Sequence, residues 1–300
     1  QSIPAFYLEG YNFLSKECLQ VPWTRNPKLI YTSSNHIWDE MFNFWSAHQS
    51  EKKKVPIVIA QHGGGFFTHK YSVERQIEID KSDKFLAWGN VRESKNKIIS
   101  FYNFKSVFKK KSYNLNGKIN LIQGTPKAYQ LACISSQLSL AQFKNSIELQ
   151  KLFLKGLIKS CFHKTEVRLY YPYGFKGTYF KTNIHQNIYE RNLWVDKKLN
   201  VKIEKLNTPV ERSIADSRLL IYNALESSLF LETMYSNIPS ILLMKFDKKF
   251  VRKKDLGIFK SLKDHGILHD DPKVLANFIN SNYQNIDIWW KSANVQKTVK

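Results

Sequence analysis

Three hundred residues, 43% hydrophobic and 14% aromatic, suffice to bury one large or two ordinary cores, which excludes a disordered chain. No apolar run reaches the ~18–20 residues of a membrane-crossing helix, and the three cysteines, Cys18, Cys133 and Cys161, are too scattered for a disulfide framework or a cysteine-rich zinc site. The formal net charge of +21 implies an anionic partner or substrate without naming it.

The chain opens on Gln1-Ser2-Ile3-Pro4, without Met and without the charged start and apolar core of a signal peptide. It therefore reads as a piece of a longer protein, and its cysteine usage suits a reducing cytoplasm. From there, short apolar runs alternate with helix-length amphipathic stretches, the rhythm of α/β layers. The first strand candidates are residues 28–32, 55–61, 84–88 and 97–101. A helical stretch at 36–48 supplies the crossover that the first parallel pair requires. The polar run 109–117 marks a boundary, placed between residues 115 and 116.

Beyond it, a strand at 118–123 enters the turn Gly124-Thr125-Pro126, a long helix covers 146–162, and strands follow at 166–171 and 218–223. A helix at 228–235 and a strand at 240–244 flank the Ile238-Pro239 turn, and helices are predicted at 272–281 and from 287 onward. The near-continuous apolar strands at 57–60 and 241–244 suit parallel sheets covered on both faces. The expected class is thus α/β, with two Rossmann-type lobes built on parallel sheets, the amino-terminal one incomplete.

Chemistry has three places to sit. Gln61-His62-Gly63-Gly64-Gly65-Phe66-Phe67 directly follows a predicted strand, where an open α/β sheet binds ligands. Glycines there permit a sharp bend and close approach of a ligand, and His62 is suited to accept a proton. The alternative is a tight turn with a structural histidine. No Gly-Lys-Ser/Thr follows, so this is not a Walker loop. The second place is Arg168-Leu169-Tyr170-Tyr171-Pro172-Tyr173-Gly174, at another strand end. Its planar guanidinium fits phosphate and its rings fit a base or sugar, against the alternative of an ion pair with tyrosine packing. The third is Glu226-Ser227-Ser228-Leu229-Phe230-Leu231-Glu232-Thr233. Here two serines at a helix start form a phosphate cradle, and Glu232, one turn on, suits ribose hydroxyls. An ordinary serine cap on an amphipathic helix is the competing reading.

Asp80 with Asp83 and Asp270 with Asp271 lack the Asp-x-Asp spacing of metal-dependent sugar transferases, and no His/Cys/Asp set has zinc spacing. No obligatory metal or cofactor is expected. Trp289 and Trp290 read as core. The basic clusters 52–54, 109–111 and 252–254 fit either a compositionally biased surface or a face for an anionic membrane. Nucleic-acid recognition signatures are lacking.

Taken in order, several segments resemble a family of bacterial surface-polysaccharide transferases of GT-B-like layout, related to enzymes that handle Kdo, polysialic acid and teichoic acid. They are Gln61-His62-Gly63-Gly64, Glu74 through Asp80 to Trp88-Gly89, Arg168-Leu169-Tyr170 with Pro172, Leu231-Glu232-Thr233 with Asn237-Ile238-Pro239-Ser240, and Trp289-Trp290. The chain departs from the family pattern at Phe66-Phe67, where Tyr-Gly is usual, and at Asn90, where Trp is usual.

The resemblance implies a glycosyltransferase that moves a sugar from a nucleotide-activated donor to a lipopolysaccharide, O-antigen or capsule acceptor. Residues 1–115 would form the acceptor side and 116–300 the donor side, at the inner face of the cytoplasmic membrane. It implies Arg168, Tyr170, Glu226, Ser227, Ser228 and Glu232 on the donor. On the acceptor side it implies His62 as base, with Glu74 and Asp80 as further carboxylates, and Gln61, Gly63, Gly64 and Gly65 as the loop. Two alternatives stay open: a CDP-linked glycerophosphate-type transferase, and a non-catalytic basic module that binds nucleic acid or membrane.

Overall fold

The computed structural model describes residues 5–70, 72–91, 96–103, 111–124, 140–169, 191–194, 199–205, 208–224 and 227–300. The chain forms two compact units, one of Gln1–His62 with Ser72–Phe104, the other of Gly63–Tyr71 with Lys105–Lys300. The described residues 63–70 and 111–115 thus group with the second unit, whereas the sequence reading groups them with the first. Each unit is built around its own parallel sheet.

In the first unit, strands β1 (Ile30–Thr32), β2 (Ile57–Ala60), β3 (Lys84–Trp88) and β4 (Ile98–Phe101) lie side by side in chain order, all parallel. β-Branched runs such as Ile57-Val58-Ile59 suit a pleated surface covered by helices. The helix predicted at 36–48 is two helices, Asn35–Trp38 and Glu40–Lys53. Asp39 separates them, because its extended backbone breaks the first helix while its carboxylate accepts the Phe42 N–H at 3.0 Å and caps the second. Lys54 then ends that helix in the left-handed region, φ 57°. Phe42, Trp45 and Val55 pack with Ile30 and Cys18, with the Trp23 ring tilted against Trp45 at 5.3 Å. Helix Val73–Lys81, absent from the sequence reading, is capped by Ser72 and connects β2 to β3.

In the second unit, strands β5 (Lys118–Ile122), β6 (Thr165–Arg168), β7 (Lys202–Ile203), β8 (Ser217–Tyr222), β9 (Ser240–Leu243) and β10 (Leu268–His269) assemble in the order β10-β9-β8-β5-β6-β7, all parallel. Numbered from its own first strand this is 3-2-1-4-5-6, the dinucleotide-fold order. Ile119, Leu121, Val167, Leu219, Ile221 and Ile241 fill one face, with helices Leu140–Gly156 and Pro272–Asn282 packed on it. Leu220, Tyr222 and Leu242 fill the other, with Phe230 and Phe259. Each such aliphatic side chain contributes about 1.5–3 kcal/mol, most of it offset by lost chain entropy.

The long helix expected at 146–162 starts earlier and breaks, giving Leu140–Gly156 and Lys159–Phe162. Ile158 is extended, and Asn280 bridges the break by accepting from Ile158 N and donating to Gly156 O, both at 2.9 Å. Strands β7 and β10, two residues each, carry no periodicity to read. After the glycine loop, residues 68–70 run antiparallel to 250–252, with Lys70 N to Phe250 O at 2.8 Å and Arg252 N to Thr68 O at 3.0 Å.

Candidate functional site

In the second sheet the strand order reverses between β5 and β8, which continue to opposite sides. A ligand crevice opens at the carboxyl ends of such a pair. Those ends are Gln123-Gly124 and Asn223-Ala224, and they are joined by amides that are almost completely buried, Gln123 3%, Gln150 1% and Asn223 1% exposed. Asn223 Oδ1 accepts from Gly124 N at 2.8 Å, and its Nδ2 donates to Gln123 Oε1 at 3.1 Å. Gln123 Nε2 donates to Gln150 Oε1 at 2.6 Å, and Gln150 Nε2 returns to Gln123 Oε1 at 3.1 Å. A Cβ at position 124 would lie 3.4 Å from both Ala224 Cβ and Asn223 Oδ1, so a larger residue would press on the bracing amide.

Helix Ser228–Tyr235 begins four residues beyond Asn223's neighbour Ala224. Ser227 caps it, its hydroxyl accepting from Phe230 N at 3.3 Å. The N–H groups of Ser228 and Leu229 have no acceptor within the helix, and the helix dipole favours an anion there. A buried hydroxyl chain fixes the helix to the sheet: Tyr222 Oη and Thr233 Oγ1 are 3.0 Å apart, and Ser240 Oγ donates to Thr233 Oγ1 at 2.9 Å. Glu232 forms a part-buried ion pair with Lys111. Glu226 and Tyr170 lie outside the described residues.

Arg168 ends β6, buried, and belongs to a charge ladder along one face of the sheet. Its Nη1 donates to Glu204 and, at 3.0 Å, to Thr208 O. Lys118 Nζ reaches Glu166 at 2.6 Å and Glu204 at 2.7 Å, and Lys202 pairs with Glu166. Burial pushes the Glu166 carboxyl up, but Lys118 and Lys202 outweigh it and hold the group below the usual range. Among these residues three cations face two carboxylates.

In the first unit, the carboxyl ends of β1 and β2 bring together two histidines and a glutamate. His36 stands on the helix after β1, whose start is tied by Asn35 N donating to Thr32 Oγ1 at 3.1 Å. His62 follows β2, beside Gln61, whose Oε1 accepts from Trp88 N at 2.9 Å. Glu78 projects from helix Val73–Lys81, and its Oε1 receives His36 Nε2 at 2.9 Å and His62 Nε2 at 3.1 Å. Side-chain exposures are 2% for Glu78, 8% for His36 and 24% for His62. Burial raises the Glu78 carboxyl, yet the bonds from His36 and His62 leave it below the ordinary value. Glu78 Oε2 and His36 Nδ1 are buried with no hydrogen-bond partner among the described residues.

Of the carboxylates expected here, Asp80 is exposed and accepts from Gln76 at 2.7 Å, away from this cluster, and Glu74 lies in the same helix with its side chain outside the described ones. Of Gly63, Gly64 and Gly65, only Gly65 takes a left-handed φ, 78°, where it turns the chain so that its carbonyl accepts from Thr68 N and His69 N. Sequence reasoning missed His36, Glu78, Lys111 and the amide trio. His36 and His62 share the signal of lying within a few residues of a strand's carboxyl end. Glu78 has none, because its neighbour Ile77 is exposed while the glutamate is buried. Among the described residues no group of three or more His, Cys, Asp or Glu is disposed to hold a metal ion.

A family model described as LIC12162 family transferase matches residues 1–300. No curated protein matches. Among solved structures, the chain is similar to a Staphylococcus aureus TarM variant complexed with fondaparinux, α-GlcNAc-glycerol and UDP. The identity is 14%, the match covers 86% of this chain and 49% of that one, and the TM-score is 0.46. A UDP-forming α,α-trehalose-phosphate synthase from Burkholderia vietnamiensis is 11% identical, with 100% and 73% covered and a TM-score of 0.49. A variant of the wall teichoic acid polymerase TagF is 13% identical, with 83% and 63% covered and a TM-score of 0.42. The chain thus spans about half the length of the TarM structure.

Proposed function

Because the chain belongs to the LIC12162 family of transferases, we propose that it moves a sugar from a nucleotide-activated donor to a hydroxyl of a cell-surface glycan or lipid-linked acceptor. No obligatory metal or cofactor enters this reading. The observation that carries it is the braced turn at the β5/β8 reversal, where Gly124 and the start of helix Ser228–Tyr235 follow the ends of adjacent strands. Fixed N–H donors at a helix start suit a nucleotide's phosphates.

In the proposed roles, Ser227, Ser228 and the first-turn amides seat phosphate, Glu232 accepts from ribose hydroxyls, and Tyr170 and Glu226 complete the donor side. Arg168, held by Glu204, supplies fixed positive charge at the strand edge. Gln61 and Gly63 to Gly65 shape the acceptor side. His62 takes the proton of the acceptor hydroxyl as its oxygen bonds to the anomeric carbon. The bond from that carbon to the phosphate oxygen breaks, and its electron pair leaves on the nucleotide phosphate. Preorganised donors at the leaving group supply rate enhancement without a metal.

The proposed setting is the cytoplasm, against an anionic membrane surface. Supporting it, Lys248, Lys249 and Lys253 are exposed beside Phe250, itself 50% exposed, and each lysine near such a surface contributes about 1 kcal/mol. No described helix is long and apolar enough to cross a membrane.

Thermal unfolding in the presence of CMP, CDP, UDP and dTDP tests the donor seat. One of them, at about 100 times its Kd, should add roughly 2.7 kcal/mol of stability. No stabilisation by any nucleotide, together with salt-sensitive DNA binding, would assign the chain to a basic binding module instead. Phosphorus in the transferred unit would identify a glycerophosphate-type donor.

A further inference from the structure

Resting on His62 as the acceptor-side base, we propose that Glu78 is its positioning residue and that His36, Glu78 and His62 act as one proton-accepting unit. The argument starts from protons. A carboxylate that stays ionised only accepts hydrogen bonds, so both imidazoles facing Glu78 Oε1, at 2.9 and 3.1 Å, carry hydrogen on Nε2. That assigns the lone pair of neutral His62 to Nδ1. An imidazole free to choose its tautomer would spend part of its time with the proton on the nitrogen that must receive the substrate's.

The second step is electrostatic. With both histidines neutral, the cluster holds one negative charge on a carboxylate whose side chain is 2% exposed, an arrangement that desolvation disfavours. A proton passing from the acceptor hydroxyl to His62 makes an imidazolium against that carboxylate, and the cluster becomes neutral. The charge created on the base is therefore compensated at its origin, without solvent. Among the described residues, the groups acting electrostatically on Glu78 are His36 and His62. His36 supplies a second N–H, from a different helix, that pins Oε1 where His62 needs it. Asp80, exposed and bonded to Gln76, has no such geometry.

Glu78→Gln keeps shape and acceptor oxygen while removing the charge, so it separates positioning from packing. The test combines 15N NMR of the imidazoles, assigned with His36→Asn and His62→Asn, and the pH profile of kcat. In the wild-type chain both rings should show the Nε2–H tautomer. In Glu78→Gln, His62 should become a tautomer mixture, and kcat should fall by about 10²-fold with KM little changed. The acidic limb should move to lower pH, because the carboxylate that favours the imidazolium is gone. A purely structural glutamate would lower stability and leave the limb in place. An unmoved limb, or wild-type His62 carrying hydrogen on Nδ1, overturns the proposal. Should Glu78→Gln not fold, the wild-type tautomer alone decides. The expected tautomers in a chain that transfers no sugar would sink the glycosyltransferase reading while leaving the coupled cluster standing.

Discussion

Two strand-end clusters, one in each unit, solve opposite physical problems with opposite chemistry. At the β5/β8 reversal, Gln123, Gln150 and Asn223 are buried neutral amides that close their hydrogen bonds on one another and on the Gly124 backbone. Beyond β1 and β2, a buried carboxylate is shared by two imidazoles, and two buried atoms, Glu78 Oε2 and His36 Nδ1, have no hydrogen-bond partner among the described residues. The amide trio cannot change charge with pH, so whatever it orients keeps the same field throughout. The histidine cluster is built from groups that can take up and give back a proton. A seat for a phosphate leaving group needs the first property and a proton acceptor needs the second, which is why the proposed roles divide as they do.

The largest expected break is His62→Ala. If the division holds, turnover falls by roughly 10²–10⁴-fold, while nucleotide affinity measured by titration calorimetry stays within experimental error. Wild-type turnover in the purified variant would remove His62 from the reaction. Equal losses in turnover and in nucleotide binding would mean that the two clusters are not functionally separate.

The next effect falls on the amide trio. Asn223→Ala removes the acceptor of Gly124 N–H and strands one lone pair of Gln123 Oε1, with an expected cost of about 1–3 kcal/mol of stability in urea unfolding. Nucleotide affinity should drop as well, since the turn is no longer braced, and the pH profile of kcat should keep its shape. A displaced acidic limb would show that this network participates in proton chemistry and would undo the contrast.

Ser227→Ala probes the helix start more gently. Loss of the cap to Phe230 N should cost about 1 kcal/mol, whereas Ser227→Gly should cost only a few tenths. If the hydroxyl also meets phosphate, both variants weaken nucleotide binding equally although their stabilities differ. Affinity that tracks stability instead would reduce Ser227 to a cap.

How much of this was legible beforehand follows from where the signal resides. The strands were readable because buried parallel strands are continuous apolar runs, as in Ile57–Ala60 and Ser240–Leu243. The helix start at Ser227-Ser228 was readable because serine before an apolar turn favours a cap position, while the sequence alone left cap and phosphate cradle as competing readings. β7 and β10 escaped, being two residues long. Helix Val73–Lys81 escaped because its burial opposes hydropathy: Ile77 is 46% exposed and Glu78 1%. Without that helix, the sequence offers Glu74 and Asp80 as the carboxylates to accompany His62. The pairing of Arg168 with Glu204 spans 36 residues and the Asn223 bond to Gly124 spans 99, and no local pattern encodes such partners.

The smallest effect concerns acid stability and bears on the histidine cluster alone. Burial raises the Glu78 carboxyl and the bonds from His36 and His62 lower it, so opposing influences leave a net depression from the ordinary 4.5. A carboxyl depressed in the folded state stabilises above its unfolded value and loses that contribution as pH falls through the folded one. Wild-type urea stability should therefore decline between about pH 5.5 and pH 3 more steeply than that of Glu78→Gln, whose amide does not titrate. The slope difference should be modest, because desolvation cancels much of what the imidazoles contribute. Parallel slopes would mean that the carboxyl is no more acidic folded than unfolded, and the premise that it stays ionised between two N–H donors would fail with them.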